Sequence, residues 1–286
     1  MDAWSNGADG VPLVISNGLG APPSAWPRLA EVDCGFRAVS WWHRGLGGSE
    51  RPVDPTRVRV EDHAADLEAV MDAGGLERAL LVGWSVGVNV AFEFARAHPE
   101  RVAGILGVGG VPGGSFRAFG PPVAPEVLRD VAAQAAAWLL RVVGPVAATL
   151  APPALDTALV LGAGAVPAAP DLVTSADVAR HFALHPWSWY SDLLLAAGEH
   201  PAMELDFVSF PVTLVGGILD VAASAGDIAA VTARIPQARF VPLFGTHFLP
   251  LEHRDRVHHE IVELAERAEL PPVPARRPRR TGPSGH

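Results

Sequence analysis

The chain has 286 residues, 49% of them hydrophobic and 19% charged, enough to bury one large core. A net charge of -9 argues against nucleic acid as a partner. The single cysteine, Cys34, excludes an intramolecular disulfide and a four-cysteine metal site; all 22 basic residues are arginine, which excludes Schiff-base chemistry, a Ser-Lys dyad and a lysine-bearing phosphate loop.

Met1 to Gly7 lacks the basic and apolar regions of a secretory signal. Val11 to Ser16 is an apolar run ending in Asn17-Gly18-Leu19-Gly20, a strand and a turn. Phe36 to Trp41 reads as a second strand, followed by His43-Arg44-Gly45-Leu46-Gly47-Gly48-Ser49. Glu61 to Ala73 places Ala65, Leu67, Ala69, Val70 and Met71 among acids, the pattern of a surface helix. Ala79 to Val82 predicts a third strand, Val86 to Ala97 a helix stopped by His98-Pro99, and Val102 to Val108 a fourth strand. Strands alternating with helices predict a parallel sheet covered on both faces.

The alternation breaks after residue 110. Residues 111–204 are rich in Ala, Pro and Leu and read as a helical insertion. Its stretch from Val131 to Pro170 is apolar but interrupted by Arg141, Pro145, Pro152, Pro153 and Asp156, so no membrane span is expected. Alternation resumes with Val212 to Val215, a helix near Ala225 to Ala233, a strand from Phe240 to Leu243, and a last helix from about Arg254 to Leu270. The expected organisation is an α/β core of residues 1–110 and 205–270, a helical cap at 111–204, and a disordered Pro/Arg-rich tail at 271–286. A soluble, cytoplasmic protein is expected.

Gly83-Trp84-Ser85-Val86-Gly87 falls between the third strand and its helix. A serine hydroxyl is a weak nucleophile unless it is held exposed beside a base, and a sharp strand-to-helix turn provides the exposure. A similar run, Ala222-Ala223-Ser224-Ala225-Gly226, does not follow its strand directly and reads as a loop. A base and an orienting acid are expected at the carboxyl ends of later strands. Asp220 and His247 stand there, in the order Ser, Asp, His that this kind of sheet uses. The expected roles are Ser85 as nucleophile, His247 as base and Asp220 as its orienting acid. The backbone N–H groups of Val86 and Leu19 are the expected oxyanion donors. A strand-end aspartate is often only a helix cap, and Asp227 is a candidate for that. His253, His258 and His259 are expected to face solvent, His98 to end a helix, and His43 to belong to a turn. Trp84, Trp187, Trp189, Tyr190 and Phe248 are candidates for the substrate pocket, with core packing as the competing reading of the aromatic residues. The absence of H-E-x-x-H, and of a G-x-G-x-x-G after a strand, predicts no metal and no bound cofactor.

Together these motifs resemble the α/β-hydrolase superfamily, in its lidded serine esterase/lipase-like branch. Asn17-Gly18 stands where the family often has His-Gly, and Arg44 to Ser49 where it has an R-G-x-G-x-S turn. Trp42 stands where that turn commonly begins with aspartate. The resemblance implies a mostly parallel sheet with helices on both faces, a helical cap, and a shortened N-terminal hairpin leaving fewer than eight strands. It also implies hydrolysis of carboxylic esters with apolar or acyl groups. Cofactor-independent haloperoxidase or perhydrolase-like chemistry, C–C bond hydrolysis, and a non-catalytic ligand-binding role are the alternatives. The expected partner is a small-molecule ester or acyl substrate, with a homodimer open.

Overall fold

The computed structural model describes residues 1–150 and 172–273. The apolar runs pair into one sheet, seven-stranded among the described residues. Its strands are β1 (Ala3–Ser5), β2 (Val11–Ser16), β3 (Phe36–Trp41), β4 (Ala79–Trp84), β5 (Val102–Val108), β6 (Val212–Gly217) and β7 (Ala238–Leu243). The order is β1-β3-β2-β4-β5-β6-β7. Every pairing is parallel except β1 on β3, where Ala3 faces Trp41. Register runs across the centre through Leu13–Leu80, Leu81–Ile105 and Ile105–Val212. Every residue of β4 and β5 is buried, as expected of strands covered on both faces.

The strand count agrees with the expectation of fewer than eight, and the hairpin keeps a single antiparallel strand. That strand, β1, escapes the sequence reading because three residues carry no alternation. The strands β4 and β6 run two residues further than expected and deliver the chain directly to the loops at their carboxyl ends.

Helices cover both faces. On one lie α1 (Val60–Ala73) and α2 (Val86–Ala97), burying Leu67, Met71, Phe92 and Phe94 against Val14, Leu81 and Ile105. The other face holds Leu13, Ile15 and Phe36 with the last helix. The expected last helix is α8 (Arg254–Arg267), preceded across His253 by a short helix, α7 (Leu249–Glu252), that the sequence reading did not include; α8 buries Val257, Ile261 and Leu264. It ends before Glu269, which takes a positive φ of 54°. The helix α6 (Ala225–Thr232) follows β6.

Between β5 and β6 the chain forms α3 (Glu126–Leu150), α4 (Leu172–Ala183) and α5 (Trp187–Glu199). Residues 151–170 of the expected apolar stretch Val131 to Pro170, and the expected tail from residue 274 on, lie outside the described residues. Among those described, no helix is long and apolar enough to cross a membrane. These helices bind the segments that follow β2, β3 and β6. Trp189 Nε1 donates to Arg44 O at 2.7 Å, Ser24 Oγ to Asp177 at 2.6 Å, and Arg129 pairs with Asp227.

Two backbones meet where α2 begins. A Cβ on Gly87 would lie 1.8 Å from Ser16 O and 2.6 Å from Asn17 O. A Cβ on Gly83 would lie 2.8 Å from Val88 N. Neither neighbour is a side-chain tip that can swing aside. We expect Gly87→Ala to destabilise the protein by about 3 kcal/mol or more, as overpacking against backbone does. An unchanged urea midpoint would show that the contact is not tight.

The loop after β3 is fastened to α1. Arg44 grips Asp66 at 2.7 and 2.9 Å and also donates to Asp62 O at 2.9 Å. Burial alone would raise the Asp66 pKa, but the His63 ring 3.7 Å away and Arg44 outweigh it and hold the carboxyl below its usual range. Beside it His43 is 1% exposed, with its ring 5.1 Å from that of His63 in a T-shaped contact. Burial first, then His63, pushes the His43 pKa down to about 3. His43 therefore stays neutral when folded, while the unfolded chain titrates near 6.5. Above that pH both states are neutral and the stability is fully present. As pH falls towards 3, only the unfolded state takes up this proton, so stability drops. We expect His43→Gln to flatten the slope of unfolding free energy against pH, just below neutrality, by about 1.4 kcal/mol per pH unit. Denaturant titrations at several pH values read that slope independently of any uniform loss; identical slopes would contradict a neutral, buried His43.

Candidate active site

Ser85 sits at the junction of β4 and α2 with φ 55° and ψ −122°, a region that side chains other than glycine rarely occupy. The strain is held by hydrogen bonds on both sides, Ser85 N to Val108 O at 2.9 Å and Val88 N to Ser85 O at 3.0 Å. From Ala79 to Ala95 every residue is buried except Ser85. The turn thus exposes one hydroxyl in an otherwise enclosed strand-turn-helix. The similar run around Ser224 does something else: Ser224 Oγ accepts from Gly226 N and caps α6. Asp227, the expected cap candidate, pairs with Arg129 instead.

Asp220 and His247 follow β6 and β7, and the structure brings them together. His247 Nδ1 lies 2.8 Å from Asp220 Oδ2. The other carboxylate oxygen accepts from Ala222 N at 2.8 Å and Ala223 N at 2.9 Å. The Asp220 side chain is wholly enclosed, so these three donors replace its water. A carboxylate accepts, so the ring proton sits on Nδ1 and leaves Nε2 a free lone pair. The His247 segment is held from behind. Trp84 Nε1 donates to His247 O at 2.9 Å, and the buried Glu252 accepts from both the N and Oγ1 of Thr246 at 2.7 Å.

Gly109 and Gly110, directly after β5, connect this pair to the serine. A Cβ on Gly109 would lie 3.2 Å from Asp220 Oδ2 and 3.3 Å from His247 Nδ1; one on Gly110 would lie 2.5 Å from Ser85 O. The Ser85 turn and the Asp220–His247 pair thus flank one Gly-Gly step. Ser85 Oγ and His247 are not joined by a hydrogen bond among the described residues. Such bonds often tighten only when substrate is bound.

Leu19 and Val86 are both buried, and among the described residues neither backbone N–H has an acceptor. Val86 opens α2, where unpaired N–H groups and the helix dipole favour negative charge. Asn17 shapes the loop that carries Leu19. Its Nδ2 donates to Ala21 O and Pro22 O at 2.9 and 3.2 Å; its Oδ1 accepts from Gly18 N and Trp26 Nε1 at 3.0 and 2.9 Å. Asn17 thus uses both ends of its amide to tie the loop.

The five expected pocket residues are placed unevenly. Trp84 is buried with its ring against Trp26, His247 and Phe248, so it braces the site. Trp187 and Tyr190 are buried in a cluster with Phe182 and His185, and Trp189 is pinned to Arg44. Phe248 is half-buried beside His247. Among the competing histidines, His98 does end α2. The expectation that His258 faces solvent is overturned: its ring packs edge-on against Phe36 and its Nε2 meets Cys34 O at 3.0 Å. The half-buried His253 meets Phe244 O at 3.1 Å. Gly109, Gly110, Glu252 and His185 were not singled out from sequence; a Gly-Gly directly after an apolar strand was the one available signal. Among the described residues, no group of three or more His, Cys, Asp or Glu could hold a metal ion.

Residues 11–157 match the family model described as alpha/beta hydrolase fold. The chain is 35% identical over 99 residues to the "Putative carbamate hydrolase RutD" of Caulobacter segnis, covering 34% of this chain and 37% of that protein. It is 34% identical over 121 residues to "Epoxide hydrolase B" of Mycobacterium tuberculosis, covering 37% of this chain and 33% of that protein. The chain thus matches about a third of the length of each of these curated relatives. Its fold is similar to the enol-lactonase from Burkholderia xenovorans LB400, with TM-score 0.71, 22% identity and 92% and 95% of the two chains covered. It is also similar to a thermophilic esterase from Thermogutta terrifontis, with TM-score 0.67, 22% identity and 93% of each chain covered. With the seven-stranded, mostly parallel sheet flanked by helices, the family match over residues 11–157 means that this chain belongs to the alpha/beta hydrolase fold family.

Proposed function

We propose that the protein is a serine hydrolase that cleaves carboxylic esters of apolar acyl groups through an acyl-enzyme on Ser85. The observation that carries this reading is the Asp220–His247 hydrogen bond of 2.8 Å, which leaves His247 Nε2 free to act as a base, with the Ser85 turn against the adjoining Gly110. Ser85 Oγ attacks the acyl carbonyl as His247 takes its proton. The carbonyl oxygen becomes an oxyanion, received by the N–H groups of Leu19 and Val86. His247 returns the proton to the departing alkoxide, the C–O bond breaks, and the alcohol leaves. Water, deprotonated by His247, then attacks the acyl-serine; the tetrahedral intermediate collapses, Ser85 recovers the proton and the carboxylic acid departs. Asp220 holds the ring tautomer and balances the imidazolium.

Residues 111–204 form the cap over this site in the same reading, with residues 1–110 and 205–270 as the core. The aromatic side chains of α5 then stiffen the cap, and Phe248 is left as the pocket residue beside the base. The serine also separates this chain from epoxide opening. Attack of a serine on an epoxide carbon would leave an ether with no carbonyl for water to attack, so the enzyme would not turn over.

A fluorophosphonate probe should label the wild type and fail to label Ser85→Ala. Asp220→Asn should retain the fold and lose on the order of 10³–10⁴-fold in kcat, as removal of the orienting acid does elsewhere. A series of p-nitrophenyl esters of rising chain length then reads the depth of the acyl site. Absence of labelling in the wild type, or labelling that survives Ser85→Ala, would remove the proposal.

A further inference from the structure

We infer that His185, at the turn before α5, is a positioning residue that aims and polarises the Leu19 N–H through two peptide units. This rests on the reading of Leu19 as an oxyanion donor. The hydrogen bonds run in one direction. His185 Nε2 lies 2.9 Å from Gly20 O. The peptide that carries the Gly20 carbonyl also carries the Ala21 N–H, which donates to Gly18 O at 2.9 Å. The peptide that carries the Gly18 carbonyl also carries the Leu19 N–H. A trans peptide is planar, with its C=O and N–H pointing opposite ways. Fixing Gly20 O therefore orients Ala21 N–H, and fixing Gly18 O orients Leu19 N–H. Hydrogen bonds in series also strengthen one another, so the terminal N–H becomes a better donor.

The arrangement is built rather than incidental. A carbonyl only accepts, so His185 must carry its proton on Nε2. The buried ring is stacked on Tyr190 at an interplanar angle of 17°, with Phe182 and Trp187 edge-on. Burial lowers the His185 pKa to about 4, so the ring is neutral near pH 7. At Gly20, with φ +71°, a Cβ would lie 2.1 Å from Nε2, so only glycine lets the ring reach the carbonyl. Asn17 fixes the far end of the same loop, at Ala21 O and Pro22 O. The chain from His185 ends on the one N–H of the loop that the mechanism needs free.

The test separates aim from mere attachment. His185→Phe keeps an aromatic ring in the stack and removes the donor; His185→Gln restores an N–H that can reach Gly20 O. Ser24→Ala removes the neighbouring bond to Asp177 without touching this relay. With a p-nitrophenyl ester, His185→Phe should lose about tenfold in kcat with KM unchanged, less than the ~10²–10³-fold for loss of a donor itself. Affinity for a trifluoromethyl ketone, whose serine adduct carries an alkoxide, should fall by the same factor. His185→Gln should recover most of both, and Ser24→Ala should behave as wild type. Unchanged kcat and ketone affinity in His185→Phe, with Ser85-dependent labelling intact, would overturn this inference alone. So would equal losses in Ser24→Ala, or a loss that His185→Gln does not recover. If His185→Phe does not fold, His185→Gln against wild type decides: activity more than tenfold below wild type overturns the inference, and near-wild-type kcat and ketone affinity support it. A wild type that is never labelled at Ser85 would overturn both readings.

Discussion

At Gly87 the first turn of α2 lies against the backbone carbonyls of Ser16 and Asn17, closer than any side chain permits. The geometry of the site depends on that approach. It sets the start of α2, with the Val86 N–H, beside the loop after β2. It also fixes the ends of the Ser85 turn, whose positive φ would otherwise relax. Gly83 removes a second clash, between the end of β4 and Val88. Strain of this kind persists only where the surroundings over-determine it. Here they are a buried β4, a buried α2 and two flanking glycines.

A second constraint is electrostatic. The enclosed Asp220 carboxylate has lost its water, and an unpaired charge there would be costly. Two backbone N–H groups and His247 Nδ1 make up for the loss, and in doing so they fix the direction of the ring. The same requirement that keeps Asp220 satisfied therefore determines which nitrogen of His247 is free. Glu252 repeats the pattern one step back: a buried carboxylate takes two donors from Thr246 and so holds the residue next to His247. The loop that carries His247 is constrained by two carboxylates rather than by contacts of its own ring alone.

Much of this was legible in the sequence, for identifiable reasons. A strand buried on both faces is a continuous apolar run, and β4 and β5 are such runs. Ser85, Asp220 and His247 stand at strand ends, where a parallel sheet gathers its loops. What was hidden involves contacts between distant segments. The strand β1 is defined only by its partner β3. His258 looked like a polar helix position, yet it packs under Phe36 through a contact 224 residues away in sequence at Cys34. Asn17 stands where the family often has histidine, and its role shows only in its four hydrogen bonds, which tie the loop together. The aromatic residues of α5 were the hardest to read, because composition cannot distinguish a ring that touches substrate from one that stiffens a neighbour.

The bonds made by the rings of Trp189 and His185 tie the segment around α5 to the loops after β2 and β3. Trp189 binds the carbonyl of Arg44, whose side chain grips Asp66 on α1. His185 binds the carbonyl of Gly20, on the loop that carries Leu19. Both contacts use a buried ring N–H on a backbone carbonyl, and both land on glycine-bearing loops where a Cβ would collide with the ring: Gly45 for Trp189 and Gly20 for His185. Glycine is needed because the ring must approach the main chain itself. A carbonyl bound in this way cannot rotate without breaking the bond, so each contact also fixes a peptide plane. The helices between β5 and β6 are therefore fastened to the main chain of these loops. Their rings set the orientation of the loops beneath, and a substitution among them would reach the site through backbone direction before it reached it through pocket shape.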